Sequence, residues 1–296
     1  MIRIAHATDI HWFAAPRLAQ LTGKRIFGTA NLYLRGRRRA FDEGVQAELV
    51  AHLLAQRPDL VFITGDLTAQ ALPEEFAKAR RALEPLLAEV PTLILPGNHD
   101  LYTADAERDQ TFHRTFAPWA GRAEPRGLIR ARVGRIRVLG LDPNRPLWVR
   151  SSGKIPPDQL EDLASELADP AGDPVVLGLH YPPVDRHGAR YDGAGHGLVN
   201  AAELIDVLER AVVRPLFVAV GHVHHGFRSA IRLSDGSEIP VFDCGSSGHA
   251  HQPALHRAAA TATYSITDDG EVRCDRWIHD GERFAPEPGG AFTSGG

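Results

Sequence analysis

The amino-acid sequence predicts an α/β fold in which helices flank a sheet, and two observations support this. Short apolar runs bounded by glycine or proline recur along the 296 residues, as expected of strands that are buried on both faces. Segments with helical periodicity lie between them, so that strand and helix alternate. An apolar fraction of 43% is large enough for a sizeable core.

Six apolar runs are predicted as strands, and most of them end in a polar residue. In chain order they are IRIAHATD ending at Asp9, DLVFITGD from Asp59 to Asp66, PTLILPGNHD from Pro91 to Asp100, RIRVLGLD ending at Asp142, PVVLGLHYPP around His180, and RPLFVAVGHVHH from Arg214 to His225.

Four helices are predicted between these strands. The first runs from Asp42 to Pro58, and a second begins near Pro73 with two acidic residues in its first turn, which favours a helix N-terminus. Two further helical patterns cover residues 156–170 and 198–215, the latter with Asn200 as the expected N-cap.

The C-terminal third is predicted to consist of hairpins, because Asp-Gly turns separate alternating segments. We expect these hairpins to form a second sheet within one domain that spans residues 1–284. A basic and apolar insertion, or flap, is expected at 21–40. The Pro/Gly/Ser-rich residues 285–296 are predicted to be a disordered tail.

Composition narrows the class of protein. A net charge of −4 gives no overall attraction to nucleic acid or anionic lipid, and two cysteines provide neither a disulfide framework nor a Cys-pair zinc motif. The N-terminus lacks the pattern of a signal peptide, and no run approaches the roughly 20 apolar residues that span a bilayer. We therefore expect a cytoplasmic protein.

Residues capable of catalysis or metal binding stand at the ends of the predicted strands. They form a D-x-H, a Gly-Asp, a GNHD, a lone histidine and a GH-x-H. In open α/β sheets the ligand crevice lies at the carboxyl ends of the strands, so folding should bring these side chains to one site. They are Asp9, His11, Asp66, Asn98, His99, Asp100, His180, His222 and His224.

The residue types in this set predict a metal centre. Carboxylate, imidazole and amide oxygen suit Mn, Fe, Co or Zn, whereas the absence of cysteine argues against a thiolate site. Seven candidate ligands are too many for one tetrahedral zinc. They suffice for two metals that share a bridging carboxylate, and two metals about 3.5–4 Å apart are a general solution for in-line displacement at phosphorus.

This ordered set of motifs resembles the calcineurin-like metallophosphoesterase superfamily over residues about 3–248. The resemblance implies a four-layer α-β-β-α sandwich of two mixed sheets, with a dimetal site at the carboxyl ends of the strands. It places Asp9, His11, Asp66 and His224 on one metal. The second metal shares Asp66 and is also held by Asn98, His180 and His222. Mn²⁺ is the metal expected first, with Fe, Zn and Co left open.

The resemblance also implies a mechanism. His99 would protonate the leaving group or stabilise the transition state, and a metal-bridging hydroxide would attack in line. Asp100 could orient His99, although a role in the turn is an equal alternative. The segment CGSSG before His249 and His251 resembles the family's glycine-serine strand end near the site.

The substrate class follows from departures within the superfamily. GDLTAQA lacks the Asp-Arg pair of protein phosphatases and the tyrosine of purple acid phosphatases. TDIH, GDLT, PGNHD, LHYPP and GHVH look most like bacterial small phosphodiesterases, which favours a cyclic-nucleotide or nucleotide-type substrate. One alternative is the pyrophosphatase that hydrolyses UDP-2,3-diacylglucosamine in lipid A synthesis. Another is a metal-binding scaffold without catalysis.

The stretch LTGKRIFGTANLYLRGRRR, residues 21–39, is a candidate for contact with substrate or membrane. It carries six basic residues and lies between the D-x-H and the first predicted helix. A basic amphipathic segment gives reversible membrane association, while a solvated loop is the other interpretation. Nucleic acid is not expected, and the sequence sets no oligomeric state. Candidate substrate-binding residues are Tyr33, Arg35, His187 and His196.

Overall fold

The structure, a computed structural model, describes residues 1–21, 23, 25–26, 29, 40–120, 128–145, 151–170, 172–191 and 197–288. Its described residues contain twelve strands: β1 (Ile2–Ala7), β2 (Leu60–Ile63), β3 (Thr92–Ile94), β4 (Ile129–Val133), β5 (Ile136–Leu141), β6 (Val175–Leu179), β7 (Phe217–Val220), β8 (Phe227–Arg232), β9 (Glu238–Asp243), β10 (Ala260–Ile266), β11 (Val272–His279) and β12 (Phe284–Pro286).

The strands form two mixed sheets of six. The first sheet has the order β12-β11-β10-β1-β2-β3, and the second has the order β4-β5-β6-β7-β9-β8. In the first sheet, β1, β2 and β3 run parallel. In the second sheet, β5, β6 and β7 run parallel. The carboxyl ends of these parallel strands carry the motifs singled out in the sequence.

Helices cover the outer face of each sheet. In chain order they are α1 (Glu43–Ala55), α2 (Pro73–Ala82), α3 (Glu84–Glu89), α4 (Ala104–Arg108), α5 (Thr111–Phe116), α6 (Pro157–Leu167) and α7 (Ala201–Glu209). Helices α1 to α5 pack on the first sheet and share one apolar cluster with it. Helices α6 and α7 pack on the second sheet.

A third apolar cluster fills the space between the two sheets. The period of two along a strand explains how one strand serves both layers: Phe62 of β2 faces the other sheet, whereas its neighbours Val61 and Ile63 face the helices. Across the interface lie Val138, Val176 and Phe217 of the second sheet. The predicted four-layer α-β-β-α sandwich is therefore confirmed.

The C-terminal hairpins are placed differently from the prediction. They do not make a sheet of their own. The β8–β9 hairpin joins the second sheet through β9, which pairs in parallel with β7. Strands β10 to β12 extend the first sheet from β1. Turn residues specify which strands pair locally, but they do not specify the sheet edge that receives the hairpin.

Two local expectations also need correction. Ala285 and Pro286, assigned to a disordered tail, belong to β12, and Glu287 forms an ion pair with Arg276 at 2.5 Å. Residues 289–296 lie outside the described part of the chain. Asn200 stands at the N-cap of α7, yet its side chain bonds both backbone groups of Ile155 instead of capping the helix.

No helix within the described residues combines the length and the apolar character that crossing a bilayer requires.

Candidate metal centre

The predicted ligands lie in the loops that directly follow five parallel strands. Asp9 and His11 follow β1, Asp66 follows β2, and Asn98 follows β3. His180 follows β6, and His222 and His224 follow β7. The two sheets therefore present their carboxyl ends at one end of the sandwich, and both of them contribute to the site.

The backbone at these positions adopts a conformation that residues other than glycine rarely take. Positive φ values occur at Asp9 (52°), His11 (56°), Asp66 (55°), His222 (76°) and His224 (61°). Such residues cost about 1–3 kcal/mol each and persist where the surroundings fix them. Here the amide of Asp9 donates to the Gly65 carbonyl at 2.9 Å, and that of His11 donates to the Asp66 carbonyl at 3.0 Å. Strain is thus concentrated at the candidate ligands.

Two glycines in the motifs allow the loops after β2 and β3 to approach each other. A Cβ at Gly97 would lie 2.1 Å from Asp66 Oδ1, and one at Gly65 would lie 2.6 Å from the Gly97 nitrogen. Both separations are far inside van der Waals contact. Both glycines therefore have a steric reason: a side chain at Gly97 would displace Asp66, and one at Gly65 would collide with the backbone of Gly97.

One group of candidate ligands consists of Asp9, His11, Asp66 and His224, whose ligand atoms lie within 4.8 Å of one another. His224 Nε2 lies 3.2 Å from Asp9 Oδ1 and 3.2 Å from His11 Nε2. His11 Nε2 lies 3.7 Å from Asp66 Oδ2. Convergence of two imidazole nitrogens and two carboxylate oxygens on one point is the arrangement that a divalent cation requires.

A second group shares Asp66 and adds His180 and His222 within the same limit. His180 Nε2 lies 3.4 Å from Asp66 Oδ2, 3.2 Å from Asn98 Oδ1 and 3.3 Å from His222 Nδ1. The amide oxygen of Asn98 is a fourth donor in this second group. Asp66 thus stands between two groups of donors.

Two buried carboxylate oxygens indicate that the site fits metal ions. Asp9 Oδ1 and Asp66 Oδ2 are buried and accept no hydrogen bond from the described residues. A buried charged oxygen without a partner is costly, and each of these atoms points among imidazole nitrogens. The other oxygens are satisfied, since Asp9 Oδ2 accepts from the His222 amide and Asp66 Oδ1 from the His99 amide. The donor set therefore fits two divalent ions.

Neighbouring imidazoles keep the buried carboxyl groups of Asp9 and Asp66 ionised. Burial by itself would raise the pKa of Asp9, but the imidazole of His224 reverses this effect and holds it well below its usual range. The pKa of Asp66 is lowered in the same way, chiefly by His180. Asp66 in turn raises the pKa of His180 to about 10 against the effect of burial. Ionised carboxylates at this position favour a cation beside them.

Backbone carbonyls orient two of the ligand imidazoles. His11 Nδ1 lies 3.1 Å from the Thr68 carbonyl, and His180 Nδ1 lies 2.9 Å from the Thr64 carbonyl. A carbonyl oxygen can only accept, so each Nδ1 carries a proton and each Nε2 faces the cluster, where a bound cation would take the place of any proton on it. This is the usual outer support of a metal-binding histidine.

His99 stands at the half-exposed edge of the cluster. Its ring packs edge-on against His11, with centroids 4.8 Å apart, and stacks on Tyr102 at 5.3 Å. Its Nδ1 lies 2.6 Å from the Ala69 carbonyl. By the same argument Nδ1 carries a proton.

Asp100 has a different position from the one expected. Its buried carboxylate accepts hydrogen bonds from the amides of Leu67, Thr68 and Gly97 at 2.9–3.1 Å, and from the Thr68 hydroxyl at 3.0 Å. It ties the loop after β2 to the loop after β3. Of the two alternatives for Asp100, the contact with the Gly97 amide agrees with a role in the turn, while His99 Nδ1 contacts the Ala69 carbonyl and not Asp100.

Of the predicted substrate-binding residues, His187 lies in the described part of the chain. His187 is exposed in a turn, where its ring accepts a hydrogen bond from Arg186 Nε at 3.1 Å. Tyr33, Arg35 and His196 lie outside the described residues. Their contact with substrate remains a prediction.

A cleft of about 720 Å³ adjoins His224, and sequence reasoning did not identify it as a unit. His249 is 5% exposed, lines this cleft, and packs against His224 and Phe41 with centroids 5.3 and 5.1 Å apart. Arg257 also lines it and contacts no carboxylate among the described residues. The histidine-rich sequence from His249 to His256 was the available signal, but Phe41 is distant along the chain.

Comparison with known proteins agrees with this geometry. Residues 2–226 match the family model of calcineurin-like phosphoesterases. The chain belongs to this family, and the sequence-based assignment is confirmed.

Two curated relatives and one solved structure illustrate the similarity. A probable cyclic nucleotide phosphodiesterase of Rhodococcus erythropolis is 34% identical over 57% of this chain and 52% of its own length. A glycerophosphodiester phosphodiesterase of Enterobacter lignolyticus is 29% identical over 66% of this chain and 67% of its own. A dimetal phosphatase from Danio rerio aligns over 96% of this chain and 98% of its own, with 16% identity and a TM-score of 0.59, which supports the fold.

The chain thus spans about half the length of the Rhodococcus relative. Both curated relatives are named for phosphodiester hydrolysis, which agrees with the phosphodiesterase prediction made from the motifs. The alternative of a UDP-2,3-diacylglucosamine pyrophosphatase is not supported by these relatives.

Proposed function

We propose that the protein is a metal-dependent phosphodiesterase that hydrolyses a small-molecule phosphodiester. The observation that carries this proposal is the pair of ligand groups that share Asp66, because two neighbouring cations suit displacement at phosphorus. Membership of the phosphoesterase family supports the same reaction class.

The residues divide between two metal positions. Asp9, His11 and His224 would hold one ion, Asn98, His180 and His222 would hold the other, and Asp66 would bind both. We propose Mn²⁺ as the working metal. Imidazole together with carboxylate also accepts Fe, Zn or Co. Bound ions of this kind neutralise phosphoryl oxygens and lower the pKa of coordinated water.

His99 is the proposed proton donor or transition-state partner. The Ala69 carbonyl fixes the proton on Nδ1, so Nε2 accepts when the ring is neutral and donates when the ring is an imidazolium. Its half-exposed position at the edge of the cluster allows it to reach the leaving oxygen of a substrate.

The cleft beside His224 favours a cyclic nucleotide over a glycerophosphodiester with an amine headgroup. It is lined by Phe41 and several imidazoles, and such rings suit a planar base. Arg257 and Arg276 line it as well, and Glu287 pairs with Arg276. A cationic headgroup would meet the guanidinium of Arg257, whereas the ring nitrogens of a base accept hydrogen bonds from it.

The reaction class is tested with bis(p-nitrophenyl) phosphate as substrate. We expect hydrolysis with Mn²⁺, loss of activity on chelation, and recovery when Mn²⁺ is restored. Activity that survives both chelation and the Asp66→Asn substitution would refute the proposal. Bound metal without turnover of any phosphoester would favour the non-catalytic scaffold instead.

The substrate class is tested by a parallel assay of 3′,5′-cyclic AMP and glycerophosphoethanolamine. We expect a higher kcat/KM for the cyclic nucleotide, and an Arg257→Gln variant should reduce this preference. A preference for glycerophosphoethanolamine would instead favour the activity for which the Enterobacter relative is named.

Cytoplasmic location and membrane contact through residues 21–39 remain predictions. Sedimentation with anionic liposomes tests the contact, with Arg35, Arg37, Arg38 and Arg39 replaced by Ser as the comparison. Binding that is unchanged by these substitutions would exclude it.

A further inference from the structure

A buried loop between β2 and α2 holds the imidazoles of the candidate site. This loop, residues 67–72 and called here the active-site loop, is buried along its whole length. Its Thr68 carbonyl contacts His11 Nδ1 at 3.1 Å, and its Ala69 carbonyl contacts His99 Nδ1 at 2.6 Å. The Thr68 hydroxyl also donates to the His99 carbonyl at 3.0 Å. The position of the loop therefore sets the orientation of the His99 ring.

The guanidinium of Arg25 holds the next two residues of this loop. Its Nε donates to the Gln70 carbonyl at 3.3 Å, and its Nη2 donates to the Ala71 carbonyl at 3.2 Å. Its Nη1 forms an ion pair with Asp105 Oδ2 at 2.7 Å. Arg25 is only 5% exposed. All three nitrogens of the fork thus have a partner, and the three partners belong to the active-site loop and α4.

The loop is also held from its other side. Glu75 Oε2, at the start of α2, accepts from the amides of Gln70 at 2.8 Å and Leu72 at 3.2 Å. Between these contacts Ala71 adopts a φ of 53°, which a residue with a side chain rarely takes. A strained turn needs such fixed contacts on both sides to persist, and Arg25 supplies one of the two.

We propose that Arg25 is a positioning residue for the reaction, which acts on His99 through the carbonyl of Ala69. This inference rests on the proposed function. A planar fork can satisfy two carbonyls and a carboxylate at fixed angles, which a single ammonium cannot do. Loss of the Arg25 guanidinium removes its hydrogen bonds to the carbonyls of Gln70 and Ala71. The adjacent Ala69 carbonyl then no longer fixes the His99 ring.

The assignment changes the interpretation of the basic stretch at residues 21–39. Arg25 belongs to its first basic cluster, yet its charge is buried and paired, so it is not available to a membrane or to substrate. Thr29 of the same stretch also contacts the loop, since its hydroxyl donates to Gln70 Oε1 at 2.9 Å. Part of this stretch therefore serves the active-site loop.

The test compares the Arg25→Met and His99→Gln variants on two substrates. Methionine fills a similar volume without donors. One substrate, bis(p-nitrophenyl) phosphate, releases a phenolate that needs little protonation, whereas 3′,5′-cyclic AMP, the substrate of the proposed function, releases an alkoxide that needs it. We expect Arg25→Met to lower kcat on the order of ten- to a hundredfold, as misplacement of a catalytic group does. The ratio of its effects on the two substrates should match the ratio for His99→Gln.

Three further variants separate positioning from folding. Arg25→Lys should recover part of kcat, and Asp105→Asn, which leaves both carbonyl contacts in place, should show the same substrate ratio with a smaller loss. The control is Arg17→Gln, because Arg17 forms an exposed ion pair with Glu74 and should leave kcat unchanged. Bound metal is measured in every variant and should be unchanged.

The results distinguish a failure of this inference from a failure of the proposed function. If the wild-type protein hydrolyses neither substrate, the proposed function fails and the inference falls with it. If the wild-type protein is active, the inference is overturned by any of three results: Arg25→Met leaves kcat unchanged, its substrate ratio differs from that of His99→Gln, or its loss of activity follows a loss of metal.

Discussion

At the scale of single residues, Asp66 is the one on which both candidate metal positions depend. It is buried, one of its oxygens accepts from the His99 amide, and the other lies among the imidazoles of both groups. Replacement by Asn keeps the shape but removes the charge that two cations would share. No other carboxylate belongs to both groups.

We therefore expect Asp66→Asn to lower kcat/KM at least about a hundredfold, beyond the 10–100-fold that loss of an outer partner of a ligand causes. Metal content, measured on the purified protein, should fall below that of the wild type. The matched control is Asp59→Asn at the opposite end of β2, where the carboxylate accepts from the Arg3 amide at 2.8 Å. Equal activity of the two variants would contradict the assignment.

The glycine of GNHD gives a second prediction. In Gly97→Ala the new Cβ would lie 2.1 Å from Asp66 Oδ1 and 2.3 Å from the Asp66 nitrogen. Because both atoms belong to a fixed loop, we expect loss of bound metal and a lower Tm.

Gly236→Ala is the comparison for this prediction. Its Cβ would meet nothing within 4 Å, although its φ is +86°. It should cost only backbone strain, about 1–2 kcal/mol, with metal content unchanged. A Gly97→Ala protein that retains its metal would show that the two loops can separate.

Single residues also show where sequence reasoning stops. The predicted ligands come together because each of them follows a buried strand, and strand ends are visible in the sequence. The contact of Asp100 with the loop after β2 was not predictable, because GNHD does not reveal that its carboxylate faces the amides of a loop about thirty residues earlier. The pairing of Phe41 with His249 likewise depends on contacts between distant segments.

At the scale of elements, α1 is joined to the C-terminal strands by a half-buried histidine. His52 Nε2 lies 3.1 Å from the Thr261 hydroxyl of β10, and its ring stacks on Phe284 of β12 with centroids 4.6 Å apart. Burial lowers the pKa of His52 to about 4 from its ordinary 6.5. The neutral ring is therefore the form that the fold accommodates.

This shift predicts a pH dependence of stability. Because the pKa of His52 is lowered in the folded state, the stability that its neutral ring contributes is fully present above pH 6.5 and is lost as the pH falls through about 4. Over this range the unfolded chain binds the proton more readily than the folded chain. We expect the free energy of unfolding to fall by roughly 1–3 kcal/mol through this effect. The difference in unfolding free energy between wild type and His52→Phe, measured by urea titration at pH 7.5 and 4.5, should shrink at the lower pH. A constant difference would contradict the assignment.

The elements also differ in how far they could be predicted. Strands β1, β2, β3, β6 and β7 were predictable because each is an apolar run that ends in a motif. The hairpins were recognisable from their Asp-Gly turns, but their sheet was not. Strand β10 pairs with β1 from Ile2 opposite Ile266 to His6 opposite Ala262. A pairing over such a distance in sequence is decided by the open edge of β1 and not by the local pattern.

At the scale of the whole molecule, the candidate metal centre joins the two sheets. Each ligand group draws on both of them. Asp9, His11 and Asp66 come from the first sheet and meet His224 from the second, while Asp66 and Asn98 meet His180 and His222. Direct contacts across the sheets at this end include the His222 amide to Asp9 Oδ2 at 2.9 Å and His180 Nδ1 to the Thr64 carbonyl at 2.9 Å. Bound ions would add to these contacts at the buried oxygens Asp9 Oδ1 and Asp66 Oδ2.

Because the folded state alone assembles these ligands, metal should stabilise the fold by mass action. At a free metal concentration 100 times Kd, one site contributes about 2.7 kcal/mol, which for a chain of this size corresponds to roughly 5–10 °C in Tm. We expect Mn²⁺ added to chelator-treated protein to raise Tm by at least this amount, and by more when both positions fill. Differential scanning calorimetry across a metal titration measures it.

The Asp66→Asn variant supplies the control for this titration, since it keeps the other ligands but lacks the carboxylate that serves both positions. Its Tm should rise much less over the same Mn²⁺ range, whereas Asp59→Asn should follow the wild type. An equal rise in Asp66→Asn and wild type would mean that the metal stabilises the protein at another place. A rise confined to the proteins with an intact Asp66 would show that the two sheets are held together through the same residues that we propose for catalysis.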